Sequence, residues 1–466
     1  MPLYRLSKFR LPGKGQSASD GAVIQATSAT PAPFQVPIHG GTYNMPSSDF
    51  ESMRKDVILE IIRLTEEKYV YPDAGKKIAA HIQKKLEGGE YDDIATEQAL
   101  ASQLTTDLRS ISGDHHWSVR YDPKGAATSV DPENEPDEDR MARYLEASRK
   151  KNFGFERVER LKGNIGYIDL RYLHPSEHAG ETAVAAMQFV AHCDTLIIDL
   201  RQNHGGYPSM EQLLASYLFD SEPRLFNTFY YRPTDDTQQF WTFPHVPGRR
   251  RPDIPLYLLI SGDTGSGAEA FAYSLKYMGR ATLIGETTKG AAHPVTKEIV
   301  QGVFDVRLPY GRPINPVTGT NWEGKGVEPH IAVPADEALK IAHLHAMENL
   351  FEGCQDDDEK ASLMWAMEII ESEYSPTVLD ETALSRFEGA YEMLRFFVRD
   401  GDLFYGHAEI PDAWKLIPIS ETRFRLDEDM KFEFVLDPSD QVCAVRTTFV
   451  DGRPERHTEK TEPDPG

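Results

Sequence analysis

Two short apolar runs, residues 195–200 and Leu256–Ile260, constrain this chain more than anything else in it. Each ends in a glycine-rich loop, and an amphipathic helical stretch follows each loop. Runs so short and so apolar fit strands covered on both faces, which belong in a largely parallel sheet. The surrounding segments continue the alternation. Ile165–Leu170 reads as a strand, 183–193, 210–219 and 268–278 as helices, and 281–284 as a short strand. Residues 155–345 are therefore expected to form an α/β core.

The flanks read differently. Residues 1–47 are rich in Gly, Ser, Ala, Thr and Pro without periodicity, the composition of a flexible tail. Residues 48–123 carry helical spacing. Ile78, Ile82 and Leu86 repeat before Gly88-Gly89, and Leu100, Leu104, Leu108 and Ile111 repeat after the candidate cap Thr96. This helical domain ends at Ser112-Gly113-Asp114-His115-His116, and the strand-like residues 117–121 follow. Residues 124–154 form an acidic linker in which only 141–150 looks helical. Residues 346–385 make a helical connector broken by the acidic 355–359. From 386 to 466 the period is two, with turns at Asp400-Gly401 and Asp451-Gly452, which predicts a separate antiparallel β domain.

Composition narrows the function classes. The chain has 466 residues with 50 Lys+Arg against 74 Asp+Glu, a net charge of −24. So acidic a surface repels phosphate backbones, so nucleic acid is not an expected partner. Cys193, Cys354 and Cys443 are odd in number and far apart, which predicts buried free thiols rather than a disulfide framework or a metal site. No run approaches the ~20 apolar residues of a membrane span. Arg5, Lys8 and Arg10 precede no apolar block, so no secretory signal is expected and the default location is cytoplasmic.

The chemistry concentrates at the ends of the two apolar runs. Ser266 lies in Asp263-Thr264-Gly265-Ser266-Gly267-Ala268-Glu269, between a strand and a helix. It reads either as a helix cap or as a nucleophile on a tight turn at the positive end of a helix dipole. The other loop is Asp199-Leu200-Arg201-Gln202-Asn203-His204-Gly205-Gly206. Its paired glycines make a plain turn, or let backbone N–H groups face an oxyanion. Asp199 and Arg201 read as a structural ion pair bracing that loop.

Four segments in order, Asp199 to Gly206, Ser266-Gly267-Ala268-Glu269, Ile284-Gly285-Glu286-Thr287-Thr288 and Glu323-Gly324-Lys325-Gly326-Val327-Glu328-Pro329, resemble the tail-specific (C-terminal processing) serine peptidase family. The helical segment ending in Asp114-His115-His116 is further similar to the branch containing interphotoreceptor retinoid-binding protein and the tricorn protease core. The resemblance spans roughly residues 50–345. It implies a crotonase-like (ClpP-like) spiral α/β core and a serine peptidase acting on a peptide or protein substrate. No cofactor or metal is implied, and a homo-oligomer is compatible with it.

The resemblance also implies roles. Ser266 matches the nucleophile, and Gly206 and Gly267, with Gly205 as a near alternative, match the oxyanion hole. Bacterial processing peptidases place a lysine base where Ala291 stands here, with Lys289 two positions earlier. The tricorn-like branch instead uses a histidine and a glutamate, which match His116 and Glu323. Imidazole titrates near neutrality, which suits it to take and return the serine proton. His115 departs from that pattern, and His293 is a rival base. A polar hinge pair for His115-His116 and a surface carboxylate for Glu323 are the plain readings. Only 31 residues separate Pro123 from Phe155, too few for the peptide-binding PDZ domain many of these peptidases insert there. Since retinoid-binding relatives need no proteolysis, the alternative is a non-proteolytic lipid-binding module on the same fold.

Overall fold

The computed structural model describes residues 47–123, 137–451 and 453–461. The expected N-terminal tail, the first part of the linker and Gly452 of the second turn lie outside the described residues. Six strands form the central sheet, in the order Ile331–Ala332, Thr282–Gly285, Leu256–Ile260, Thr195–Asp199, Ile165–Leu170 and Phe155–Leu161. All neighbours are parallel except the last pair. The two apolar runs sit in the middle and are buried at every position.

Alternating side chains of these strands supply two cores, because successive residues face opposite sides of a pleated strand. Ile198 and Leu258 pack with Ala183, Met187, Leu214 and Phe271 from the helices Ser176–Phe189, Pro208–Leu218 and Gly267–Tyr277. Ile197, Tyr257 and Leu259 face the other way, against the helices Ala338–Gly353 and Asp357–Tyr374. Ala338, Ala342 and Ala346, four apart on one helical stripe, bring the first of these close to the sheet. Cutting the core at 345 therefore divides a helix that covers the sheet. The helix expected at 183–193 starts earlier, at Ser176, and stops at Phe189.

The helical domain is Ser47–Lys68, Pro72–Glu87 and Glu97–Ser112. Thr96 caps the third helix by accepting from the Ala99 N–H at 3.2 Å, and Gly113 ends it in the left-handed region at φ 65°. Leu100, Leu104 and Leu108 are buried as expected, but Ile111 falls off that face and is 44 % exposed. The next strand, Ser118–Tyr121, pairs antiparallel with Phe304–Pro309, which in turn pairs with Val295–Val300. Val57, Ile61, Leu104 and Trp117 share one core with Val300, Phe304 and Leu308 of that hairpin. The helical domain is thus fused to the α/β core by a strand and a common apolar cluster.

The C-terminal segment forms two antiparallel sheets of four and five strands around Phe387, Tyr391, Phe396 and Phe434. Asp400 (φ 53°) and Gly401 (φ 79°) make the expected tight turn. All three cysteines are free, and only Cys193 is buried. Cys443 points outward from its alternating strand, and Cys354 stands half-buried just past a helix end, which corrects the expectation for both. Among the described residues no helix is long and apolar enough to cross a membrane.

Candidate active site

Ser266 follows the strand Leu256–Ile260 and opens the helix Gly267–Tyr277, with its side chain exposed. A capping residue ordinarily has extended backbone angles, as Thr96 does at φ −140° and ψ 153°. Ser266 instead sits at φ 51° and ψ −121°. For a non-glycine residue this conformation costs about 1–3 kcal/mol and persists only where the surroundings enforce it. Ser266 is thus the N-cap of its helix, boxed with Glu269, and at the same time sits on a strained turn that leaves its side chain exposed.

Hydrogen bonds on every side impose the turn. Thr264 Oγ1 donates to Leu200 O (2.8 Å) and Gly265 N–H to Asn203 O (3.0 Å), stitching the two loops together. Ser266 N–H donates to Glu269 Oε2 at 2.8 Å. The Glu269 carboxylate is fully buried and also receives Thr288 Oγ1 and the N–H groups of Gly290 (2.6 Å) and Ala291 (2.9 Å). Burial pushes its pKa above the ordinary carboxylate value, although these donors pull the other way.

The paired glycines are required by close approach. A Cβ on Gly205 (φ 110°) would lie 2.7 Å from the Ser266 Cβ, and one on Gly206 (φ 144°) 2.1 Å from Leu173 O. The Gly205 N–H is committed to Asn203 Oδ1 at 2.9 Å, which removes it as an oxyanion donor. Gly206 N–H and Gly267 N–H donate to no protein acceptor among the described residues, and Gly267 opens a helix, where N–H groups have no intrahelical partner. Asp199 and Arg201 pair at 2.6 Å, with Tyr167 OH on the same carboxylate at 2.7 Å, so they brace the loop as expected.

The histidines form a second cluster. His116 Nδ1 lies 3.2 Å from Glu323 Oε2 and 3.4 Å from Asp114 Oδ1. His293 is buried, with its Nδ1 2.6 Å from Asp114 Oδ2. Burial disfavours the charged imidazole of His116, but the Asp114 and Glu323 carboxylates outweigh it and lift the pKa to about 9. Asp114 is held well below the usual carboxylate range: burial opposes its ionisation, and the bonds to His116 and His293 prevail. His115 turns its side chain outward and contributes only its N–H, to Glu323 Oε1 at 3.3 Å. Lys289 is exposed, and its N–H donates to Thr264 O.

One loop joins the two clusters. Gly290 and Ala291 N–H groups hold Glu269, and the next two, of Ala292 (2.7 Å) and His293 (3.1 Å), hold Glu323 Oε2. Asp114, His293 and Glu323 each offer one ligand atom within 4.8 Å of the others, a set that could close on a cation. Those atoms already have protein partners among the described residues.

Three residues of the site were not singled out in the sequence. Glu269 had a signal, because Ser266-x-x-Glu269 has the capping-box pattern. Asp114 had only its place two residues before His116. Glu211 had none. It is 1 % exposed, with Oε1 unpartnered and 3.0 Å from where a Cβ on Gly267 would stand. Burial alone pushes its pKa well above the carboxylate range.

Residues 164–333 match peptidase family S41, and residues 49–153 match the N-terminal domain of peptidase family S41 in eukaryotic IRBP. A carboxyl-terminal-processing protease of Picosynechococcus sp. is 26 % identical over 216 residues, 46 % of this chain and 48 % of that protein. The chain thus spans about half the length of this curated relative. Among solved structures, the photosystem II D1 C-terminal processing protease overlays with a TM-score of 0.40 at 13 % identity, covering 61 % of this chain and 94 % of that one. The tricorn protease overlays with a TM-score of 0.39 at 14 % identity, covering 64 % and 37 %.

Proposed function

The chain belongs to peptidase family S41 and carries that family's IRBP-type N-terminal domain, and from this premise we propose that it hydrolyses peptide bonds through an acyl-enzyme on Ser266. The observation that carries the reading is the strained backbone of Ser266, exposed at a helix N-terminus between two glycine loops. Serine oxygen needs a base to become a competent nucleophile. On this reading His116 takes the Ser266 proton as Oγ attacks the substrate carbonyl. The Gly206 and Gly267 N–H groups stabilise the tetrahedral oxyanion. His116 then protonates the departing amine, and water releases the acyl group by the reverse proton path.

On this reading the Glu323 and Asp114 carboxylates, at ion-pair distance from Nδ1 (3.2 and 3.4 Å), orient the imidazole, and Nε2 serves Ser266. Lys289 has no part in this scheme. The reading further places the core in the crotonase-like class and the mechanism in the tricorn-like branch, supported by the parallel strand order and the His116–Glu323 pair. A fluorophosphonate probe tests it. Covalent labelling at Ser266 is expected, abolished in Ser266→Ala and at least tenfold slower in His116→Ala. Labelling at another residue, or none, would sink it.

A further inference from the structure

The helix Asp137–Lys150 does more than connect domains. Tyr144, Ala147 and Ser148 line a cleft of about 950 Å³ whose opposite wall belongs to the catalytic loops. Gln202 and His204 come from the Gly205-Gly206 loop and Asp263 from the Ser266 loop, and His204 Nδ1 faces Asp263 O at 3.2 Å. Between these walls runs the segment 171–174. Its Leu173 is bridged to Gly206, with Leu173 N–H on Gly205 O (2.9 Å) and Tyr207 N–H on Leu173 O (2.8 Å). Leu173 points into the core, and its neighbours Tyr172 and His174 line the cleft. The cavity is at the upper end of the roughly 300–1,000 Å³ usual for specific ligand sites.

We propose that this cleft is the subsite that selects substrate, taking an aromatic or large apolar side chain of an extended peptide whose scissile bond lies at Ser266. The inference rests on the peptidase reading and names its substrate class.

The lining carries it. Tyr172 and His174 meet edge-to-face at 4.6 Å between ring centroids, and Tyr144 OH bonds His174 Nδ1 at 2.9 Å. A third ring fits such a corner by the same edge-to-face preference. Burial, helped by the nearby Lys151 charge, holds the His174 pKa below its ordinary value, so the corner is uncharged near neutrality. Charges of both signs lie around the cleft, Lys151 and Arg171 against Glu156 and Asp263, and Arg171 is paired with Asp169 at 3.0 Å. Opposed charges give neither an acidic nor a basic side chain an advantage. Ring edges and space remain as the basis for selection.

Ala147 is exposed on the cleft face of its helix, so Ala147→Trp fills the cleft without disturbing a packed position. Binding of fluorescein-tagged peptides carrying Phe, Ala, Asp or Lys at one scanned position is measured on full-length Ser266→Ala, which needs no turnover. The Phe peptide is expected to bind at least tenfold more tightly than the others, and adding Ala147→Trp should abolish the preference. Ala147→Glu should shift the preference towards Lys. On the active chain, Ala147→Trp should lower kcat/KM for the Phe substrate at least tenfold while leaving that for the Ala substrate within about threefold. Equal binding of all four peptides, a Phe preference that survives Ala147→Trp, or a fluorescent fatty acid held in their place would overturn the proposal. Failure of Ser266 to label would instead overturn the peptidase reading, while the peptide-binding result on Ser266→Ala would still decide the cleft.

Discussion

Ser266 is held by interlocked main chains and one buried carboxylate, that of Glu269, and His116 stands between the carboxylates of Asp114 and Glu323. Around the serine, the two strand-end loops bond to each other through Thr264 and Gly265, and glycines 205, 206 and 267 allow main chains to approach where any Cβ would collide. Around the histidine, Asp114, Glu323 and His293 come from three separate segments, and the Asp114–His293 contact spans 179 positions. The first arrangement rests on close main-chain approach, with the buried Glu269 carboxylate on the Ser266 N–H as its titratable member. The second is built on groups that titrate, His116 raised and Asp114 lowered by their mutual contact. On the proposed reading, two requirements of one reaction, a fixed nucleophile and a mobile proton, are met by different physics.

The largest effect should come from breaking the backbone half. Ser266→Ala is expected to lower kcat by about 10⁴-fold or more, as when a nucleophile that works as part of a unit is removed. Gly205→Ala leaves every reacting group in place but forces a Cβ to within 2.7 Å of Ser266. A misplacement of about 1 Å can cost about 10²-fold in rate, so a loss of at least that size is expected in single-turnover assays. If Gly205→Ala retained full activity with the native fold by circular dichroism, the close approach argued for this half would be wrong.

The same contrast explains what could be read from the sequence. Apolar strands, helix caps and glycine loops act within a few residues, so the sheet, the Thr96 cap and the Ser266 turn were legible. The Glu323 and His116 assignments came from family resemblance, because nothing local marks two residues that meet only when a strand, a loop and a helical domain are assembled. The fusion of the helical domain to the core was invisible for the same reason. It depends on the register of Ser118–Tyr121 against a hairpin that alternation alone did not single out. Glu211 was lost in the helix Pro208–Leu218, where a glutamate is expected to face solvent.

The charged half should answer to pH. His116 accepts a proton only when neutral, and its pKa is lifted to about 9. kcat/KM should therefore rise about tenfold per pH unit up to about 9. Stability should run the other way. His116 is raised above an unfolded value of about 6.5, so its contribution is complete below that pH and is lost as pH climbs through about 9. Asp114 is depressed, so its contribution is present above its unfolded value of about 3.9 and is lost as pH falls below it. Activity and Tm are thus expected to move in opposite directions between about pH 6.5 and 9. Glu323→Gln removes one of two carboxylates beside the imidazole. It should shift the activity limb to lower pH and reduce kcat by about 10–10²-fold, less than the ~10⁴ seen where a lone triad acid is lost. Asp114→Asn should shift the limb the same way, with an added stability loss of about 1–3 kcal/mol because His293 loses its partner. An unshifted limb in both variants would detach His116 from the reaction.

Glu211 tests whether the serine half titrates at a second buried carboxyl besides Glu269. Its Oε1 lies 3.0 Å from where a Cβ on Gly267 would stand and has no hydrogen-bond partner among the described residues. An ionised carboxylate there would place a negative charge behind the groups that receive the oxyanion, whereas a neutral acid leaves their field intact. Burial favours the neutral form, so the chain must take up a proton at Glu211 on folding once the medium is above the unfolded carboxyl pKa. That uptake costs about 1.4 kcal/mol per pH unit until the folded value is reached. Glu211→Gln has nearly the same shape and needs no proton. It is expected to change kcat by less than about threefold, and to stabilise the chain at neutral pH by about 1 kcal/mol or more, with the gain growing as pH rises. A Tm that falls in Glu211→Gln, together with a large loss of kcat, would mean that the carboxylate is charged and serves the two helix N-termini beside it. The serine half would then rest on a second titrating carboxyl, and the division between the two halves would fail.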